Sequence, residues 1–187
     1  DALAHNLQIA KNHAMASQVY AVVKANAYGH GIERVYDAFK QGDGFALLDI
    51  AEAERLRALG WQGDILLLEG IFSLQDLADC HRLNLSFTLH SAHQIEWLQQ
   101  FQHSHSDAQF NIFVKMNSGM NRLGFSPEDY QNAWQQLSRL SCVHTMTHMM
   151  HFSDADGMRF GESGIQYQYE LFQQIIQQFP APVTVRY

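Results

Sequence analysis

Several things are scarce in this sequence, and each shortage narrows what the chain can be. Cys80 and Cys142 are its only cysteines, and they lie far apart. Two distant thiols make no disulfide framework. They fit a reducing compartment and read as half-buried structural thiols. Basic residues are also few: 12 Lys+Arg stand against 19 Asp+Glu, a formal net charge of −7 with 11 His counted as neutral. No Lys/Arg stripe interrupts that acidic balance, which argues against a nucleic-acid binder. Apolar runs such as Ile65-Leu66-Leu67-Leu68 fall far short of the ~20 residues that span a membrane as a helix. The opening residues, DALAHNLQ, carry neither the basic nor the apolar region of a signal peptide. Pro/Gly/Ser-rich linkers and low-complexity tracts are missing, so residues 1–187 are expected to form one domain. What is present is a core-forming composition, 47% hydrophobic and 17% charged, which excludes a disordered chain.

Short runs rich in Val, Ile, Leu and Phe, bounded by Gly, Asp, Asn or Ser, predict strands at residues 18–24 (QVYAVVK), 44–49 (GFALLD), 64–70 (DILLLEG), 85–90 (LSFTLH), 108–116 (AQFNIFVKM), 142–152 (CVHTMTHMMHF) and 182–187 (PVTVRY). Helical patterns fill the gaps: residues 3–13, 30–41, 50–59, 73–80, 91–101, the segment opened by Ser126-Pro127-Glu128-Asp129, and 163–179. Ser73, Ser91 and Ser126 are suited to cap helices, and Pro127 to the first helical position.

Regular β-α alternation implies parallel strands joined by helical crossovers. Near-continuous apolar strands imply that both faces are covered. An open doubly wound sheet and a (β/α)8 barrel both meet these conditions. Seven strands with few long excursions favour the barrel. A complete barrel takes about 250 residues, so the expectation is an incomplete (β/α)8 barrel of seven strands.

In such a barrel the chemistry sits at the C-terminal ends of the strands. Lys24, Asp49, Glu69, His90 and Lys115 are predicted at those ends, with Arg122 in the loop beyond Lys115 and His148 and His151 near the end of the sixth strand. Lys24 is the most informative, because Lys11, Lys40 and Lys115 are the only other lysines. A lysine ending an apolar strand is either a nucleophile with a depressed pKa or a side chain snorkelling to water. The loop after it, Ala25-Asn26-Ala27-Tyr28-Gly29-His30-Gly31, reads as a tight turn opening a helix, with the Tyr28 hydroxyl available to an anion. Arg122, in the polar loop 117–124, could donate to a phenolate or carboxylate. His144, His148 and His151 invite a metal reading, but a regular strand puts His144 and His148 on one face and His151 on the other. No metal is therefore assigned.

Several segments, in order along the chain, resemble the alanine racemases, pyridoxal-phosphate (PLP) enzymes of fold-type III. VVKANAYGHG (22–31) closely resembles the family's PLP-lysine motif, DALAHNL its N-terminal helix, LLLEG (66–70) its third strand, KMNSGMNRLGF (115–125) its arginine loop and MMHFSDAD (149–156) its histidine segment. The resemblance implies the N-terminal barrel portion of a cytoplasmic, homodimeric enzyme. That enzyme would interconvert L- and D-alanine by two-base α-proton transfer and supply D-alanine for cell-wall peptidoglycan. It implies that Lys24 holds PLP and acts as one base, and that Tyr28 contacts the cofactor phosphate. Arg122 would bond the PLP phenolic oxygen and help place the substrate carboxylate. His151 would pack beside the cofactor ring, and Lys115 would occupy the position that is carboxylated in some members.

The second base of the family is a tyrosine from a C-terminal β-domain of the partner subunit. That domain, and the serine-rich and glycine-loop phosphate motifs, are not in this sequence, so the chain is expected to be incomplete and inactive alone. Val185-Arg186-Tyr187 resembles the segment carrying the family's pyridine-nitrogen arginine, yet Arg186 follows His151 by only 35 positions. Asn117 stands where Asp is more common, and Asn121 where Gly or His is. The competing readings are another fold-type III PLP racemase or decarboxylase, a non-enzymatic PLP carrier, and a metal-dependent hydrolase built on the three histidines.

Overall fold

The structure, a computed structural model, describes residues 2–157, 165–179 and 184–185. By its internal contacts the chain divides into two compact units, residues 1–88 and 89–187. The first comprises helix α1 (Ala2–Ala14), strand β1 (Tyr20–Val22), a short helical turn α2 (Lys24–Tyr28), α3 (Ile32–Phe39), β2 (Gly44–Leu47), α4 (Ile50–Ala58), β3 (Asp64–Leu67), α5 (Leu74–Leu83) and β4 (Ser86–Leu89), whose last residue begins the second unit.

The strands of this unit are parallel and pair in chain order: Tyr20 opposite Gly44, Phe45 opposite Ile65, and Leu67 opposite Phe87. A doubly wound sheet reverses its strand order at a switch point. No reversal occurs from β1 to β4, as the barrel reading requires. Phe45, Leu47, Ile65, Leu67 and Phe87 are fully buried, and every residue of β2 and β4 is buried, so both sheet faces are covered.

Local chemistry sets the helix starts. The Asp49 side chain accepts from the Ala51 amide (2.8 Å) and caps α4. Ser73 and Asp76 form a reciprocal capping box at α5. Gly44 has no Cβ because the ring of its strand partner Tyr20 occupies that space. Tyr20 then reaches across and donates to Asp64 Oδ2 (2.6 Å) at the N-terminal ends of the strands.

The second unit runs through α6 (Ala92–Ser104), β5 (Phe110–Lys115), α7 (Pro127–Leu137), β6 (Val143–Met149), α8 (Gln166–Ile176) and β7 (Thr184–Val185). Its strands are again parallel and in chain order. Ser126 caps α7, accepting from the Asp129 amide (3.1 Å), with Pro127 at the first helical position. The register shifts between Phe110 and Asn111, which face Val143 and Thr145, so His144 is bulged out. His144 is exposed while His148 is buried, and the bulge interrupts the two-residue alternation between them. Both cysteines are buried and free; burial pushes the Cys80 thiol pKa far upward, consistent with a structural role. Residues 163–164, 182–183 and 186–187 of the expected last helix and strand, Arg186 included, lie outside the described residues.

Candidate active site

The side chains singled out in the sequence lie at the C-terminal strand ends or just past them: Lys24 after β1, Asp49 after β2, Glu69 after β3, His90 after β4, Lys115 at the end of β5 with Arg122 in the loop beyond, and His148 and His151 at and past the end of β6. The sequence predicts that Lys24 ends the first strand, but the strand stops short of it. β1 closes at Val22, the Val23 amide makes a last sheet-like bond to Ala46 O (2.8 Å), and Lys24 opens α2.

That turn is left-handed. Ala25, Asn26, Ala27 and Tyr28 have φ of 51°, 55°, 55° and 53°, and Gly29 and Gly31 follow at 85° and 90°. A left-handed conformation costs an L-residue roughly 1–2 kcal/mol, and four non-glycine residues in succession adopt it here. The residue choices keep the strain bearable: alanine has the smallest Cβ substituent, and Asn tolerates this region better than most. The turn closes through Ala27 N–Val23 O (2.8 Å), Gly29 N–Ala25 O (3.1 Å) and Gly31 N–Asn26 O (2.8 Å). Residues four apart in a helical turn share one side. Accordingly Lys24 Nζ lies 5.9 Å from the centroid of the Tyr28 ring. Lys24 is half-buried, Ala27 is buried beneath, and Tyr28 is 63% exposed.

Helix α4 braces the turn from the side. Glu52 Oε1 accepts from the Asn26 amide at 2.5 Å. Arg55 Nη2 donates to Asn26 Oδ1 (2.8 Å), the same oxygen that accepts from the Ile32 amide at the start of α3 (3.2 Å). Arg55 also forks onto Glu33 of α3, with Nε–Oε1 at 2.7 Å and Nη2–Oε2 at 2.6 Å. These hydrogen bonds hold the Glu33 carboxyl down to about 2 and raise the Arg55 pKa. Asp49, another predicted strand-end candidate, is used as the α4 cap. Nothing in the sequence marks Glu52 or Arg55, because each stands 26 or 29 residues from the turn it touches.

The second unit carries the other candidates. Lys115 ends β5, is 4% exposed, and pairs with Met149 of β6. The loop beyond it returns on itself: Phe125 N bonds Lys115 O and Asn117 N bonds Phe125 O, both at 2.9 Å. Asn117 organises the tip, accepting from the amides of Gly119 (3.1 Å) and Asn121 (3.0 Å) and donating to Asn121 Oδ1 (2.9 Å). An aspartate could make the first two bonds and not the third, so the two unusual asparagines work as a pair. Gly124, at φ 127°, lies where a Cβ would stand 2.5 Å from the Asn117 amide nitrogen. Arg122 is exposed in this loop.

His151 is exposed two residues past β6. Just beyond it, Ser153 is held by buried Gln168 of α8, whose amide accepts from Ser153 N (3.0 Å) and donates to Ser153 O (3.2 Å). Gly119 leaves room for Gln168, whose Cγ is 3.3 Å from where a Cβ would stand. Gln168 joins the arginine loop to the histidine segment, and the sequence offers no signal for it. Lys24 and Tyr28 therefore share one turn of the first unit, while Lys115, Arg122 and His151 follow adjacent strand ends of the second.

Residues 1–186 match the family model of the alanine racemase N-terminal domain. The chain belongs to the alanine racemase family. The alanine racemase of Acinetobacter baumannii strain SDF is 59% identical over 184 residues, covering 98% of this chain and 49% of that protein. Among solved structures, the biosynthetic alanine racemase of Pseudomonas aeruginosa superimposes with a TM-score of 0.87 at 34% identity, over 98% of this chain and 50% of its own. A histidine racemase from Leuconostoc mesenteroides gives a TM-score of 0.84 at 23% identity, a likeness of fold. The chain thus has the α/β-barrel fold of the alanine racemase N-terminal domain, and it spans about half the length of the curated relatives it matches. Among the described residues no helix is long and apolar enough to cross a membrane.

Proposed function

We propose that the protein to which this sequence belongs racemises L- and D-alanine with PLP, and that Lys24 holds the cofactor and serves as one of two bases. The observation that carries the reading is the left-handed turn, which sets the Tyr28 ring 5.9 Å from Lys24 Nζ just past a strand end. A half-buried amine beside a phenol fits a cofactor that brings an aldehyde and a phosphate. When bound, PLP supplies the electron sink that makes the substrate α-proton removable.

The chain's own groups do the rest. Lys24 Nζ would take and return a proton on one face of the α-carbon, the Tyr28 hydroxyl would donate to the phosphate, and the Arg122 fork would serve the cofactor's phenolic oxygen and the substrate carboxylate. His151 would pack beside the cofactor ring. Lys115 is the candidate for carboxylation, on its place at the buried end of β5, at the start of the segment that resembles the family's arginine loop. The second base is proposed to be a tyrosine from the partner subunit of a homodimer. The product D-alanine would enter peptidoglycan, and the enzyme would work in the cytoplasm.

The test is to incubate the protein with PLP, reduce with borohydride, digest, and locate the pyridoxyl group by mass spectrometry. Label on Lys24, with loss of alanine racemisation in Lys24→Ala, is the expected result. A label elsewhere removes the central assignment.

A further inference from the structure

We propose that Glu52 and Arg55 of α4, working through Asn26, are positioning residues that hold the left-handed turn so that Lys24 and Tyr28 meet the cofactor together. The proposal rests on the PLP reading of Lys24. The turn's own three backbone bonds stand against a conformational cost, since four successive residues without the freedom of glycine adopt a disfavoured backbone. Bonds from outside the turn add to these three. At the entry, the Asn26 amide is among the first of the turn and bonds Glu52 Oε1 (2.5 Å). A carboxylate there also suits the positive end of the turn's peptide dipoles. At the exit, Asn26 Oδ1 gathers the Ile32 amide and Arg55 Nη2 onto one atom. Arg55 cannot swing away, because Glu33 of α3 occupies its other edge through two bonds.

Asn26 is therefore gripped by main chain and side chain from one rigid helix, two residues from Lys24 and two from Tyr28. The arrangement of Glu52 agrees with this role. Its second oxygen, Oε2, is buried with no hydrogen-bond partner. A buried, unpartnered carboxylate oxygen is unfavourable in stability terms alone, which points to a task for the oxygen that is engaged.

Three variants separate positioning from mere strain relief. Glu52→Ala removes the acceptor, Glu52→Gln retains one, and Asn26→Gly removes the side chain while making positive φ easy. Two readouts are needed. One is amide hydrogen exchange across residues 24–32 without cofactor. The other is the yield of borohydride-fixed pyridoxyl-Lys24 at sub-saturating PLP, with the melting temperature as control.

Glu52→Ala and Asn26→Gly should each speed exchange of 24–32, and weaken Lys24 labelling, by roughly tenfold, the size expected for losing a hydrogen bond to a charged group. Exchange in β2 and β3 should stay as in the parent, and Glu52→Gln should remain within about threefold of it. Asn26→Gly is decisive: if Asn served only to tolerate the left-handed backbone, glycine would label as well as the parent, and the proposal would fall. Faster exchange with unchanged labelling also overturns it, as does unchanged exchange. Should Glu52→Ala not fold, Asn26→Gly carries the test. A parent protein that takes no label on Lys24 refutes the cofactor reading instead, and the exchange data still decide whether α4 holds the turn.

Discussion

His148 carries an imidazole into a box of aromatic rings. Trp134 stacks on it at 3.9 Å, Phe179 lies 5.1 Å away centroid to centroid, and Tyr130 Oη is 2.7 Å from Nδ1. Tyr130 Oη also donates to Val114 O (3.0 Å), so its one proton is committed and the hydrogen between Oη and Nδ1 belongs to His148. Nε2 is then the unprotonated nitrogen, buried with no partner for a proton to bond. Burial accordingly pushes the His148 pKa down from 6.5 to about 4. The unfolded chain binds this proton below pH 6.5 and the folded chain does not until about 4. The stability tied to the neutral imidazole is thus complete above 6.5 and drains away as pH falls toward 4, by up to about 3 kcal/mol. Urea unfolding at intervals from pH 7 to 4.5 should show the decline in the parent. His148→Phe, which fits among aromatic rings and cannot titrate, should show a shallower one. Equal slopes in the two proteins would reject the assignment.

Helix α4 shows how one element serves both ends of the strands. Arg55 and Arg57 lie two apart, near enough to look equivalent in sequence, yet helical geometry turns them to different sides. Arg55 supports the Lys24 turn. Arg57 is a staple on the other side: Nε donates to Leu83 O (2.9 Å), Nη1 to Trp61 O and Gly63 O (2.8 Å each), and Nη2 to Asn84 O (2.9 Å). It ties the loop before β3 to the turn before β4 through the planar fork that lysine lacks. Asn84 sits there at φ 50°, closing α5 as a left-handed cap. Conservation of charge should therefore not rescue this site. Arg57→Lys is expected to cost about 2–4 kcal/mol in urea unfolding, since several charged hydrogen bonds go at once. Lys24 labelling by PLP should be unaffected in the folded variant. A labelling defect at unchanged stability would show that the two ends are not separable as argued.

Across the whole molecule, what could be read in advance was whatever depends on local pattern. Each strand from β1 to β6 falls within its predicted run, and Ser73 and Ser126 cap helices with their side chains as expected; Ser91 stands at the start of α6 but makes no side-chain cap bond, and Asp49, expected at a strand end, caps α4 instead. Lys24 and Tyr28 stood out through the scarcity of lysine and the motif around it. The handedness of their turn was hidden, because propensities for Ala, Asn and Tyr describe right-handed backbone. The braces Glu52, Arg55 and Gln168 were hidden too, since each reaches its target across tens of residues or between elements. The bulge at His144 broke the strict two-residue alternation on which the histidine faces were argued.

The same inventory bears on catalysis, for the proposed two-base reaction needs a proton carrier opposite Lys24. Tyr20 donates to Asp64 at the N-terminal strand ends, Tyr36 stacks against Phe45, and Tyr130 is enclosed with His148. Tyr28 shares the turn, and hence the side, of Lys24. Of the three other tyrosines, Tyr167 and Tyr169 lie on α8 of the second unit and Tyr187 lies outside the described residues; the proposal takes the opposing base from a partner subunit instead. The 187-residue polypeptide should therefore take pyridoxyl label on Lys24 and yet leave L-alanine uninverted. Chiral chromatography after long incubation with PLP measures this directly. D-alanine above the rate of free PLP would mean that the second base lies within these residues, and the two-chain reading would have to be given up.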